Sequence, residues 1–145
     1  MFSIIICSIN ETYLNALKIN ISETIGHPYE LLVWDNRISP KSIAEVYNIL
    51  GKQAQYPWLC FIHEDIIFQT QNWAAVLLAT FQQDSELGMI GIAGAKYKSR
   101  TPSGWSTGIA SLDCVHILHR NANGEIKTLH SGSPDKIPQP VVNVD

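Results

Sequence analysis

Two hydrophobic periods alternate along the first two thirds of the chain. FSIIIC (2–7) is a continuous, mostly β-branched run, short enough for a strand buried on both faces. In NETYLNALKINISETIG, Leu14, Leu17, Ile21 and Ile25 recur at spacings of three and four, which predicts one helical face, and Gly26 closes it. YELLVWD (29–35) predicts a second strand. Ser39 as cap and Pro40 at the first helical position predict a helix running to about Leu50, with Ile43, Val46, Tyr47 and Leu50 as its apolar stripe. WLCFI (58–62) reads as a third buried strand. A helix over 72–81 carries Trp73, Val76, Leu77 and Phe81 on one side, and GMIGIAG (88–94) reads as a fourth strand.

Strands alternating with helices in this way predict parallel βαβ units. Right-handed crossovers then place helices on both faces of a mostly parallel sheet, a three-layer α/β/α, Rossmann-like architecture. The character changes after Ala95. KYKSRTPSGWSTG (96–108) reads as a loop, IASLDCVHILHR and EIKTLH flank NANG with the hairpin signal Asn123-Gly124, and SGSPDKIPQP is irregular. VVNVD resembles one more strand. Domains rarely stop inside a strand, so the chain is expected to be a fragment of a longer protein.

Composition narrows the class. The 145 residues are 46% hydrophobic, enough for one core, and the net charge of −3 argues against a general nucleic-acid binder. No stretch approaches a transmembrane helix, and the start of the chain shows no signal-peptide pattern. Cys7, Cys60 and Cys114 lie in apolar or alternating runs without metal-ligand spacing, which reads as buried thiols in a reducing cytoplasm rather than a disulfide framework.

Candidate chemistry collects at the strand ends. In a parallel sheet all carboxyl ends share one rim, where open α/β sheets bind ligands. That rim receives Cys7-Ser8-Ile9-Asn10, Asp35-Asn36-Arg37 and His63-Glu64-Asp65. Any one of these could simply cap or turn; three together, one with adjacent carboxylates, point to a site. Neither GxGxxG nor GxxxxGK[ST] is present, so a diphosphate bound here would need a divalent cation, magnesium or manganese, anchored by Glu64-Asp65.

SIIICSIN, ELLVWDN, an Asn-containing helix with a later Ala (Asn48 to Ala54) and WLCFIHED, in that order, resemble the inverting family-2-like glycosyltransferases of the GT-A fold. The likeness is to the glycosyltransferase-like branch, in which a His-Glu-Asp triplet stands at the DxD position. It covers residues 2 to 95, with a weaker continuation to 145.

The resemblance implies a single donor-binding domain over 1–145, truncated before the acceptor-binding half. It also implies a nucleotide-diphosphate sugar donor and a glycan or other hydroxyl acceptor. By position, Asp35 matches the carboxylate that accepts from the nucleotide base, Asn36 replaces a second acid, and Ser8 lines the base pocket. Asn48 matches a helix residue near the donor, although the glycine expected at position 50 is Leu50, with Gly51 one place along. Asp65 matches the metal-binding acid, and Glu64 the acid contacting the donor's ribose or sugar. His63 stands where a first acid often is, and imidazole is a poorer ligand for a hard cation.

The family's general base, which deprotonates the acceptor hydroxyl, has no match: Asp113 and Asp135 both lack its context. The catalytic residues are therefore unassigned. A non-catalytic nucleotide-binding or scaffolding domain is the alternative, and a nucleotidyltransferase ranks below both.

Four smaller features stay outside this scheme. His116 and His119, three apart on a strand, point to opposite faces and make a poor metal pair. Lys96, Lys98 and Arg100 read as a solvated basic loop, with closure over a diphosphate as the alternative. Trp105 could stack on a sugar or anchor its loop. Trp34 and Trp73 read as packing residues. An exposed edge or apolar patch would allow a homo-oligomer.

Overall fold

The computed structural model describes residues 1–100, 104–132 and 139–144. The chain divides into two compact units, Met1–Ala79 and Thr80–Asp145. In the first, β1 (Phe2–Ser8), β2 (Tyr29–Asp35) and β3 (Trp58–Ile62) form a parallel sheet in the order β2-β1-β3. Ile4 sits level with Leu31 on one side and Cys60 on the other.

The β-branched run of β1 is central and buried on both faces, as a continuous apolar run requires. Phe2, Ile4 and Ile6 pack on Leu17 and Ile21 of α1 (Glu11–Thr24), on Ile25, and on Trp73 and Ala74 of α3 (Trp73–Gln83). Ile5, on the opposite face, packs on Val46 and Leu50 of α2 (Ile43–Gln53). The three α/β/α layers anticipated from the pattern are present.

Several elements differ in detail. Helix α2 begins at Ile43, capped by Ser42 rather than Ser39: the Ser42 side chain and Glu45 form a reciprocal capping box. Pro40 and Lys41 stay outside it, because the Asn36 amide accepts from Lys41 N–H at 2.8 Å and donates to Lys41 C=O at 3.1 Å. Ile43 is consequently exposed and does not join the core stripe. In α3 the inward face is Trp73, Ala74, Leu77 and Leu78, while Val76 is exposed. Strand β3 is buried on one face only. Phe61 remains 47% exposed, since α2 covers β1 and reaches this outer strand through the Tyr47 ring, 4.9 Å away.

Gly26 ends α1 with φ +62°, and Asn72, just before α3, also has positive φ (55°). The two segments cross so closely that a Cβ on Gly26 would fall on the Asn72 amide, 3.0 Å from the Asn72 Cα. The Ala74 N–H donates to Ile25 C=O at the same crossing (3.4 Å). Beside it the Trp73 indole stacks on Phe68 at 4.3 Å and donates to Thr24 Oγ1 at 3.2 Å.

The second unit holds an antiparallel sheet in the order β6-β5-β4-β7. It comprises β4 (Ala93–Ala95), β5 (Asp113–Arg120), β6 (Ile126–Ser131) and β7 (Asn143–Val144). GMIGIAG therefore does not form a fourth parallel strand. Only its Ala93–Ala95 end is extended, and it pairs antiparallel with β5 and β7. Gly88 and Gly91 weaken the preceding stretch, and Met89 and Ile92 stay 68% and 64% exposed, whereas Ala93 and Ala95 are small enough to be buried. The β5-β6 hairpin turns at Asn121–Glu125, with Gly124 at φ +85°, as Asn123-Gly124 predicted. VVNVD contributes the two-residue β7. Most of SGSPDKIPQP, with Asp135, lies outside the described residues. The three cysteines are free thiols, half-buried rather than buried, and no helix among the described residues is long and apolar enough to cross a membrane.

Candidate functional site

The parallel order brings the carboxyl ends of β2, β1 and β3 side by side. An open cleft of ≈ 440 Å³ lies there, lined by Cys7, Ile9, Asn10, Tyr13, Asn36, Ile43, His63, Glu64 and Asp65. The lining segments are held by hydrogen bonds, some local and some between strand ends. Asn10 caps α1 by accepting from Thr12 and Tyr13 N–H (3.0 and 3.2 Å), which sets the turn between β1 and the helix. Asn36 N–H donates to Ser8 C=O at 2.8 Å, extending the β1-β2 pairing by one step.

Glu64 is the residue that joins the rim together. Its carboxylate accepts from the buried Ser8 hydroxyl and from the Ile9 and Asn10 N–H groups (3.1 and 3.0 Å). Partial burial pushes its pKa up, but the hydrogen bonds from Ser8, Asn10 and Ile9, with the Arg37 charge, outweigh this and hold it below the ordinary value. The middle acid of the triplet thus faces the protein. His63 and Asp65, on either side of it, are exposed along the cleft.

Asp35 ends β2 in a bidentate pair with Arg37 (Nε to Oδ1 2.9 Å, Nη2 to Oδ2 2.6 Å), and Arg37 N–H also donates to it at 3.0 Å. The Arg37 side-chain hydrogen bonds bring Asp35 down to about 2, so it is ionised throughout the neutral range. Arg37 lies 3.7 Å from Glu11 as well. The Cys7 thiol, in the cleft wall, is raised by burial and by the nearby Glu64 charge.

Ser8, Asn36, His63, Glu64 and Asp65 are therefore brought together at one rim, with Asp35 adjoining through Asn36. Asn48 is not: it is exposed on α2 and is not among the residues lining the cleft. Ser8 and Asn36 serve the framework, through Glu64 and Lys41 respectively. Sequence reasoning put Arg37 at the rim without giving it a role, and missed Tyr13 and Ile43 as site residues. Their signal was available: Arg37 follows Asp35-Asn36 directly, and Tyr13 and Ile43 are large side chains in first helical turns, at the edge of the core stripes.

A cation's fit can be judged from the donors. Glu64 is committed to the turn, and among the described residues no three His, Cys, Asp or Glu side chains are gathered to hold a metal ion. Asp65 remains as an exposed carboxylate with His63 beside it. One carboxylate is a fitting anchor for magnesium or manganese, which bind through one or two carboxylates plus substrate phosphates and waters.

In the second unit, Asp113 opens β5 as a buried carboxylate. It accepts from Ser106 Oγ (2.6 Å), Thr107 Oγ1 (2.7 Å) and Thr107 N–H (2.8 Å), and these bonds hold it below its usual range. It organises the 104–109 loop. Trp105 lines a smaller cavity of ≈ 200 Å³ with Tyr97 and Ile109, and the Lys98 ammonium donates to Gly104 C=O at 3.0 Å. Lys98 is thus engaged within its own loop. Trp34 and Trp73 are packing residues as expected.

Among curated proteins the chain has no match. The model of the glycosyltransferase-like family, by contrast, matches residues 3–145, and this α/β chain belongs to that family.

Proposed function

We propose that the chain binds a nucleotide-diphosphate sugar in the cleft of residues 1–79 and serves inverting transfer of the sugar to an acceptor hydroxyl. The observation that carries this reading is the meeting of three polar strand ends around a ≈ 440 Å³ cleft, with Asp65 left open beside an inward-turned Glu64. Tyr13, Ile9 and Ile43 give that cleft the apolar wall that a base or ribose would cover. Asp35, ionised and held by Arg37, is an acceptor for a base N–H at the neighbouring strand end.

In this reading the acceptor oxygen bonds to the anomeric carbon as the bond to the diphosphate oxygen breaks, and the acceptor's proton passes to a base that stays unassigned. Magnesium or manganese, when bound, neutralises charge developing on the leaving diphosphate. Asp65 is its anchor, with His63 as a second candidate ligand. Glu64 acts as a positioning residue: it fixes the turn whose Ile9 and Asn10 line the cleft.

A second reading, a nucleotide-binding domain without turnover, draws support from the engagement of both Asp35 and Glu64 within the protein. Thermal-shift titration with nucleoside diphosphates, with and without Mn²⁺, tests the binding common to both. The expected result is a metal-dependent shift of several degrees with one nucleotide at about 100 times its dissociation constant. Asp65→Ala should abolish it without changing the melting temperature of the free protein. No shift with any nucleotide, or an undiminished metal-dependent shift in Asp65→Ala, overturns the assignment. Release of nucleoside diphosphate from the matching sugar nucleotide then separates transfer from binding alone.

A further inference from the structure

We propose that His116 and His130 form a two-imidazole site for a borderline transition-metal cation, zinc, nickel or copper, that clips β5 to β6. The sequence pairs His116 with His119, but β5 sends those two to opposite faces. The strand register instead sets His116 directly opposite His130. Their Nδ1 atoms are 2.9 Å apart, with the rings nearly perpendicular at 79°. Both side chains are exposed, so a cation can reach them and complete its coordination with water.

The spacing suits this use. Two nitrogens bound at the usual zinc distance in a tetrahedral arrangement lie about 3.3 Å apart, so the rings need to open by only about half an ångström. In the free protein the short contact requires one ring to donate through Nδ1–H and the other to accept. Binding through both Nδ1 atoms needs the donor ring to carry its proton on Nε2 instead, a tautomer change with no net loss of a proton. Imidazole selects zinc, nickel and copper over magnesium and manganese, so the site is chemically distinct from the carboxylate rim of residues 1–79. It rests on none of the glycosyltransferase reading. The hairpin is an apt place for such a clip, since β6 is an exposed edge strand held to its sheet through β5 alone among the described residues.

Isothermal titration of the chain with Zn²⁺ and Ni²⁺ tests the site, beside His116→Thr, His130→Thr, His119→Ala and His63→Ala. Threonine keeps the β-propensity of the strand, and far-ultraviolet circular dichroism checks that each variant folds. The expected result is one equivalent bound by the parent, lost in both threonine variants, retained in His119→Ala and His63→Ala, and not displaced by excess Mg²⁺. Imidazole NMR signals of His116 and His130 should broaden selectively with sub-stoichiometric Ni²⁺. No binding by the parent, undiminished binding in either threonine variant, or equal loss in His119→Ala or His63→Ala overturns the proposal.

Discussion

Residues 1–79 and 80–144 solve the same problem by different means. The first unit buries Ile4, Ile5, Ile6, Leu17, Ile21, Val46 and Trp73 around a central strand. Among its described residues, the second buries Ala93, Ala95, Val115 and a carboxylate, Asp113. One is ordered by apolar area, the other by hydrogen bonds converging on a charge and by turn chemistry. The cleft with the His-Glu-Asp triplet belongs to the first.

The sharpest test of that contrast removes a large side chain from each. Ile4→Ala should cost about 2–5 kcal/mol in denaturant unfolding, because the central strand cannot collapse onto the hole. Val115→Ala should cost less, since it removes a smaller group from a unit whose other buried apolar side chains, among the described residues, are only Ala93 and Ala95. Equal losses would erase the distinction.

A smaller effect is expected where the first unit does rely on polar groups. Ser42→Ala removes the capping box of α2 and should lower stability by about 1 kcal/mol. Ser39→Ala should leave stability nearly unchanged, because Ser39 caps nothing, and the same denaturant curves read both.

The least global and most local change is expected at Asp113. Asp113→Asn should speed amide exchange at Thr107 and its neighbours while leaving residues 1–79 protected. Acid should imitate it. Asp113 has its pKa lowered by Ser106 and Thr107, so its contribution is full above the ordinary carboxylate pKa of about 3.9 and is lost as pH falls through the depressed folded value. Exchange at Thr107 that is insensitive to both the substitution and acid would show that the loop is held by something else.

This division also explains what could be read from the sequence. Period-3.6 and period-2 patterns report burial, so α1 with Leu17, Ile21 and Ile25, and the strand ends meeting at one rim, were legible. GMIGIAG misled because an apolar composition says nothing about which strand it will pair with, and two of its large side chains stay exposed. Local competition hid the start of α2: Asn36 captures Lys41, and only then does Ser42 outrank Ser39 as a cap. The HED triplet was visible as a group, but not that Glu64 turns inward to Ser8, because that depends on a contact 56 residues away. His116 and His130 are brought together by hairpin register, which the spacing of histidines along one strand does not reveal.

The crossing of Gly26 and Asn72 has a bearing on sequence drift. The first position excludes every side chain, by its backbone sign and by its neighbour alike, and the second admits only residues at ease in a left-handed conformation. Two sites 46 residues apart must therefore vary together or not at all. A descendant chain that has lost Gly26 should have re-routed the entry to α3, and a Gly/Asn pair at this distance is a marker by which the same crossing can be sought in sequences too diverged to align.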